Sequence, residues 1–265
     1  MATYLDGILA AHRARAAADS RGIAALEAIA AAGPAPRPFR RALGEAPGVA
    51  LIAEIKRRSP SRGDLAVNLD PARVARAYEA GGATCLSVLT DGPHFGGSRE
   101  DLVAARAAVG LPVLRKDFTV AACDLYDARA MGADAVLLIV AALRDVELRG
   151  FLALARDLAL DALVEVHDDG ELERALEAGA ELVGVNQRDL RSFAVDPELA
   201  LRVGARIPPG VLKVAESGIT GAAEVERLAA AGFDAVLVGE ALVRASDPTD
   251  AARALLGAAR GAGAR

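Results

Sequence analysis

The chain has 265 residues, 53% of them apolar, enough for one large domain or two small ones. Aromatics make up only 3% and Trp is absent, so aliphatic side chains must supply the core. A net charge of −5, with no basic run longer than Lys56-Arg57-Arg58, argues against a nucleic-acid surface. The lack of a secretory segment and of any long uncharged apolar run argues against export and membrane insertion and for a cytoplasmic protein. Cys85 and Cys123 form neither a disulfide framework nor a zinc spacing and read as small core hydrophobes.

Residues 1–47 precede the first strand. Leu5, Ile8, Leu9 and His12 share one helical face, and Ile23, Leu26 and Ile29 suggest a second helix. The run Gly33-Pro34-Ala35-Pro36-Arg37-Pro38 then breaks the helical pattern. Short apolar runs follow at 50–55, 84–89, 112–116, 134–140, 161–166, 181–186, 211–216 and 235–239. Their starts lie about 20 to 35 residues apart, the length of a βα unit.

Amphipathic stretches separate these runs. Asp70-Pro71 supplies an N-cap and an N1 proline. The endings Ala80-Gly81-Gly82-Ala83, Met131-Gly132-Ala133-Asp134, Ala178-Gly179-Ala180-Glu181 and Ala231-Gly232-Phe233-Asp234 each put Gly where a helix ends and a strand begins. Eight nearly continuous aliphatic strands favour a parallel sheet covered by helices. Eight is also the count that closes a (βα)8 barrel. An open doubly wound sheet is the alternative, weakened because no Gly-x-Gly-x-x-Gly follows the first strand. The expected fold is therefore α/β, a (βα)8 TIM barrel in a single domain over 1–265. The barrel proper would span 48–257, with 1–47 a helical extension capping one barrel end. The Ala- and Arg-rich tail from Ala258 is expected to fray.

In a strand over 50–55, Ile52, Glu54 and Lys56 point one way and Leu51, Ala53 and Ile55 the other. A carboxylate and an ammonium among apolar neighbours are costly unless paired or used. The same placement recurs at the ends of later strands, with Lys116, Glu165, Asn186 with Arg188, and Glu216 with Ser217. In a barrel, catalytic groups gather at these C-terminal ends. Ser217-Gly218 and Gly239-Glu240 are small-residue turns after the seventh and eighth strands, where barrels commonly hold phosphate. His12, His94 and His167 are scattered. His167 lies near enough to Glu165 to reach the rim, but reads as a satisfied or solvated residue. No metal-ligand spacing, nucleophile elbow or P-loop lysine is present, so acid–base work falls to Lys and Glu.

These residues carry a specific resemblance. Glu54-Ile55-Lys56-x-x-Ser59-Pro60-Ser61-x-Gly63 resembles the signature of the indole-3-glycerol phosphate synthase family. Further matches are Leu86-Ser87-Val88-Leu89-Thr90-Asp91 with Phe95-Gly96-Gly97-Ser98, and Pro112-Val113-Leu114-Arg115-Lys116-Asp117-Phe118. They continue with Leu163-Val164-Glu165-Val166-His167, Gly184-Val185-Asn186-Gln187-Arg188-Asp189-Leu190, Ala215-Glu216-Ser217-Gly218-Ile219 and Val238-Gly239-Glu240-Ala241-Leu242. Gln187 departs from the second Asn more common in the family.

The resemblance implies a cofactor-free carboxy-lyase of tryptophan biosynthesis acting on a phosphorylated small molecule. It implies Lys116 as general acid, Glu165 as general base, and Lys56 with Glu54 as a second acid–base pair. Asn186, Arg188 and Glu216 would orient the substrate, and Phe118 would pack on its aromatic ring. Lys56, Ser217, Gly218, Gly239 and Glu240 would cradle phosphate, with the Glu240 side chain turned away. Ser59 would anchor the loop after the first strand, and Leu237 would also line the substrate site. A monomer is the simpler expectation, with no nucleic-acid or membrane partner. The competing readings are a barrel like phosphoribosylanthranilate isomerase, which typically uses a Cys/Asp pair, and a phosphate-binding barrel without activity.

Overall fold

The strands occur where apolar runs can be buried on both faces, and their pairing closes a ring. In a computed structural model that describes residues 4–257, the strands are β1 (Ala50–Ile55), β2 (Cys85–Leu89), β3 (Val113–Lys116) and β4 (Ala135–Ile139), followed by β5 (Asp161–Val166), β6 (Leu182–Asn186), β7 (Leu212–Glu216) and β8 (Ala235–Val238). These eight barrel strands are all parallel, each beside its sequence neighbours, and β1 closes on β8 in the register Ala50↔Ala235 to Ala53↔Val238; a separate antiparallel ribbon pairs Arg58–Ser59 with Gly63–Asp64 in the loop after β1. The expected (βα)8 barrel is the observed fold. Boundaries shift by a residue or so. The run 134–140, for example, ends at Ile139, and Val140–Ala142 turns as a short 3-10 helix. The tail from Ala258 lies outside the described residues.

Every residue of β1 is buried, because one face fills the barrel and the other packs under helices. The helix endings behave as their sequences require. Gly82, Gly132, Gly179 and Gly232 all have left-handed φ between 78 and 93°. Asp70 caps the helix Pro71–Ala80 by accepting from Ala72 N at 2.9 Å.

The extension forms α1 (Tyr4–Ala17), α2 (Ile23–Ala31) and α3 (Phe39–Gly44). It was expected at one barrel end and is found at both. His12 of α1 reaches the C-terminal mouth, where its Nε2 lies 2.9 Å from Asp91 Oδ2. At the opposite end, Arg37 N donates to Asp134 Oδ1 at 2.7 Å and Arg40 N to Asp161 Oδ2 at 2.8 Å. Between the two ends, Leu26 and Ala30 of α2 pack on Tyr126. That i, i+4 pair faces the barrel, so Ile23 and Ile29, expected on the buried face, turn to solvent.

Candidate active site

The C-terminal ends of the strands surround a cleft of about 1120 Å³. The residues assigned to the site from the sequence all line it. Glu54, Lys56, Lys116, Glu165, Asn186 and Glu216 form its polar floor. Ser59, Phe118, Arg188 and Leu237 stand around them. Ser217, Gly218, Gly239 and Glu240 close the side beyond β7 and β8.

The floor is a set of buried ion pairs. Lys56 Nζ lies 2.5 Å from Glu54 Oε1. Lys116 Nζ lies 2.8 Å from Glu165 Oε2 and 3.2 Å from Glu216 Oε2. Asn186 Nδ2 donates to Glu165 Oε1 at 3.1 Å. Burial opposes the charge on Lys116, but the carboxylates of Glu165, Glu216 and Glu54 outweigh it and raise its pKa. Burial likewise works against ionised Glu165, yet Lys116 and His167 hold it below the usual carboxylate range. Glu216 goes the other way. Burial pushes it up to about 7; Lys116 opposes that, while Glu165 and Glu54 add to it. One lysine therefore holds two carboxylates of opposite tendency, the arrangement that separates acid from base roles in one site.

Small residues leave room for these carboxylates. A Cβ added to Gly184 would overlap Glu216 Oε1. Gln187 donates to the Ser217 carbonyl at 2.7 Å and pins the turn in which Ser217 and Gly218 both take left-handed φ, 66° and 72°. The departure from the family pattern at Gln187 is thus a structural tie on the loop after β7. Arg62 and Arg244 each approach Glu240 Oε1 at 3.2 Å, so its carboxylate is occupied by guanidinium groups. Arg57 pairs with Asp101 at 2.8 Å and donates to the Val67 and Leu69 carbonyls, fixing the loop after β1.

Two groups in and beside the cleft went unassigned in the sequence. His12 belongs to an apolar helical face, and that spacing gave no sign of the partners the fold supplies. Its Nδ1 accepts from Arg15 at 2.7 Å, so Nε2 carries the proton donated to Asp91. Its ring stands 5.3 Å from that of Phe118. Asp117 lies 3.9 Å from His12 and accepts from Arg115 at 2.9 Å. His12, Asp91 and Asp117 bring ligand-type atoms within 4.8 Å of one another. These atoms are already engaged in hydrogen bonds beside two guanidinium groups, an environment that disfavours a cation. His167 reaches the rim and is satisfied by Glu171, as expected, but it also lies 3.3 Å from Glu165. The i, i+2 spacing from Glu165 and the Glu four residues later were the available signal.

Among the described residues, no helix is long and apolar enough to cross a membrane. The family model for indole-3-glycerol phosphate synthase matches residues 5–255. The chain is 51% identical over 259 residues to indole-3-glycerol phosphate synthase 2 of Streptomyces coelicolor, covering 96% of this chain and 100% of that one. It is 52% identical over 235 residues to the indole-3-glycerol phosphate synthase of Micrococcus luteus, covering 87% and 88%. Among solved structures, thiamine phosphate pyrophosphorylase from Pyrococcus furiosus shares the fold, with a TM-score of 0.61 at 16% identity over 83% of this chain and 98% of that one.

Proposed function

The chain belongs to the indole-3-glycerol phosphate synthase family, and from that premise we propose how its barrel mouth works. It is a lyase of tryptophan biosynthesis. It closes the ring of 1-(2-carboxyphenylamino)-1-deoxy-D-ribulose 5-phosphate to indole-3-glycerol phosphate, with loss of CO2 and water. One observation carries the assignment of roles: Lys116 stands between an ionised Glu165 and a Glu216 poised near neutrality.

Ring closure needs a proton for the ketone oxygen as the carbon–carbon bond forms. Lys116, held protonated by its carboxylates, is the general acid. Loss of CO2 returns the bonding electrons to the ring, which needs no cofactor. Dehydration needs an acid for the departing hydroxyl and a base for a ring proton. Glu165 is that base. Lys56, paired with Glu54, is the second acid–base pair and also faces the phosphate end. Asn186, Arg188 and Glu216 orient the substrate and hold the lysines charged. Phe118 packs on the anthranilate ring, and Leu237 lines the same site. Ser217, Gly218, Gly239 and Glu240 present backbone to the phosphate. The pairing of Glu240 with Arg62 and Arg244 supports a carboxylate withdrawn from it. Ser59 anchors the loop after β1. The protein works as a cytoplasmic monomer, one domain with its barrel over 48–257 and its extension over 1–47.

An isomerase of the Cys/Asp type finds no support where its acid and base would stand, since β1 and β5 carry Glu54 and Glu165. The chain has no Trp, so indole product is visible by fluorescence over a weak Tyr background. Purified protein given the carboxyphenylamino substrate should develop that signal. Lys116→Ala should abolish nearly all of it with the fold intact. Folded protein without an indole signal overturns the assignment, and normal turnover in Lys116→Ala overturns the named acid.

A further inference from the structure

His167 lies just past the end of β5, on the same side of the chain as Leu163 and Glu165. Its two ring nitrogens face two different carboxylates. Nδ1 is 3.0 Å from Glu171 Oε2, and Nε2 is 3.3 Å from Glu165 Oε1. Glu171 also accepts the His167 backbone N–H at 2.8 Å, so one carboxylate grips both the residue's main chain and its ring. Glu171 is itself set by the helix N-cap, where its N–H donates to Asp168 Oδ1 at 2.8 Å.

This geometry selects a protonation state. Either neutral tautomer would aim a nitrogen lone pair at a carboxylate oxygen, and only the imidazolium presents N–H to both. Nε2 is buried and makes no aligned hydrogen bond, so its 3.3 Å approach to Glu165 Oε1 is favourable only as an ion pair, which requires a charged ring. Burial opposes the charge, but Glu165 and Glu171 overcome it and raise the pKa to about 10. The short turn Val140–Ala142, which packs on β5 and on the helix Asp169–Glu177, carries no titratable group. The carboxylates in contact with the ring are Glu165 and Glu171, with Lys116 and Glu216 behind Glu165; on the following helix Asp168 is taken up by the N-cap and Arg174 by the Val140 and Leu143 carbonyls.

Charge balance across the floor points the same way. Glu54, Glu165 and Glu216 are three buried carboxylates served by two lysines, Lys56 and Lys116. His167 is the third basic side chain in contact with the set, on the Glu165 side away from Lys116.

We propose that His167 is a positioning residue for this reaction, an imidazolium clamped by Glu171 that keeps Glu165 ionised and leaves its other oxygen to Lys116. The proposal rests on Glu165 serving as the base. His167 touches no reacting atom; it acts through Glu165. Without its charge, the proton released in the dehydration step would find a site already partly protonated.

Two measurements test this. In the first, the pH dependence of kcat is compared for wild type, His167→Gln and Glu171→Gln. His167→Gln keeps an N–H able to reach toward Glu165 and removes the charge. Its acid limb, set by Glu216 near 7 through its coupling to Glu165, should move up by about one pH unit, because without the His167 charge a second ionised carboxylate beside Glu165 is harder to hold. Near pH 6 its kcat should fall about tenfold, with KM changed less than about twofold and most of the rate recovered above about pH 8. Glu171→Gln should shift the limb in the same direction by less. A loss equal at every pH, or no loss, overturns the proposal.

In the second, the ring nitrogens of 15N-histidine-labelled wild-type protein are observed without substrate. Both His167 nitrogens should stay protonated through about pH 8, where an ordinary histidine is neutral. A neutral His167 ring at that pH overturns the proposal whatever the variants do. If wild type makes no indole, the functional reading fails, while the nitrogen spectrum still decides the charge state of His167.

Discussion

Gly239 and Glu54 occupy touching positions across the β8–β1 seam. A Cβ built on Gly239 would overlap Glu54 Oε1 and stand 3.2 Å from Glu54 Cβ. The glycine is what allows a buried carboxylate to lie flat against the end of β8, and Glu54 in turn holds Lys56 at 2.5 Å. Gly239→Ala should therefore displace the Glu54–Lys56 pair rather than unfold the barrel. We expect kcat to fall about a hundredfold, the cost of moving catalytic groups by roughly an ångström. Overpacking should destabilise by about 1–3 kcal/mol. Steady-state kinetics with a thermal melt checks both. Wild-type kcat in a folded Gly239→Ala protein would show that the pair's position does not matter.

Much of this was legible in the residues themselves. The eight strands announced themselves through repeated βα lengths and the Gly that ends four of the intervening helices, because both are local requirements of the backbone. The polar floor was legible because Lys and Glu on otherwise apolar strands have no structural excuse. The extension was harder to read. Its path to both barrel ends depends on Asp134 and Asp161 accepting from Arg37 N and Arg40 N, partners separated by about a hundred residues in sequence. Local periodicity carries no record of such pairings. His12 and His167 were obscured for the same reason: a histidine's function is set by what faces each ring nitrogen, and only the fold brings Asp91, Arg15, Glu165 and Glu171 there.

Glu216 makes stability depend on pH in a defined direction. Its carboxyl is raised from an ordinary value to about 7 by burial, so the folded state binds its proton more tightly than the unfolded chain. Its contribution is fully present below the unfolded pKa and is lost as pH rises through about 7. Glu216→Gln removes the ionisation and should gain stability relative to wild type at pH 8. That gain should shrink towards pH 5, where wild-type Glu216 is protonated. Activity should fall in the same variant, because Lys116 loses one of its two carboxylates. Thermal melts at the two pH values check the sign, and a gain that is larger at pH 5 contradicts it.

His12 connects α1 to the substrate wall by one hydrogen bond and one ring contact. In His12→Ala, buried Asp91 loses a donor and Phe118 loses the ring 5.3 Å away. We expect a loss of about 1–3 kcal/mol in stability, because Asp91 Oδ2 loses its donor while Oδ1 keeps the His94 N–H. Because the role proposed for Phe118 is to pack on the substrate's ring and not at the reacting carbons, KM should rise more than kcat falls. Denaturant unfolding together with separate kcat and KM values checks this. An effect confined to kcat would place His12 nearer the chemistry than its contacts do.

Asp134 should separate stability from catalysis. It is fully buried at the barrel end opposite the cleft and gathers three donors: Arg37 N at 2.7 Å, Val113 N at 2.8 Å and the Arg106 guanidinium at 3.0 Å. The first ties the extension to β4, the second ties β3 to it, and the third neutralises the charge. Asp134→Ala strips all three acceptors and leaves the Arg106 guanidinium, largely buried, beside a cavity. Breaking one side of such a pair typically costs about 3–5 kcal/mol. The lost acceptors lie far from Lys116 and Glu165, so kcat at low temperature should stay within about twofold of wild type while the protein remains folded. Urea unfolding measures the first effect and the fluorescence assay at low temperature the second. A large drop in kcat with unchanged stability would mean that the two barrel ends are coupled, and that the extension transmits the effect of Asp134 up to the mouth through α1.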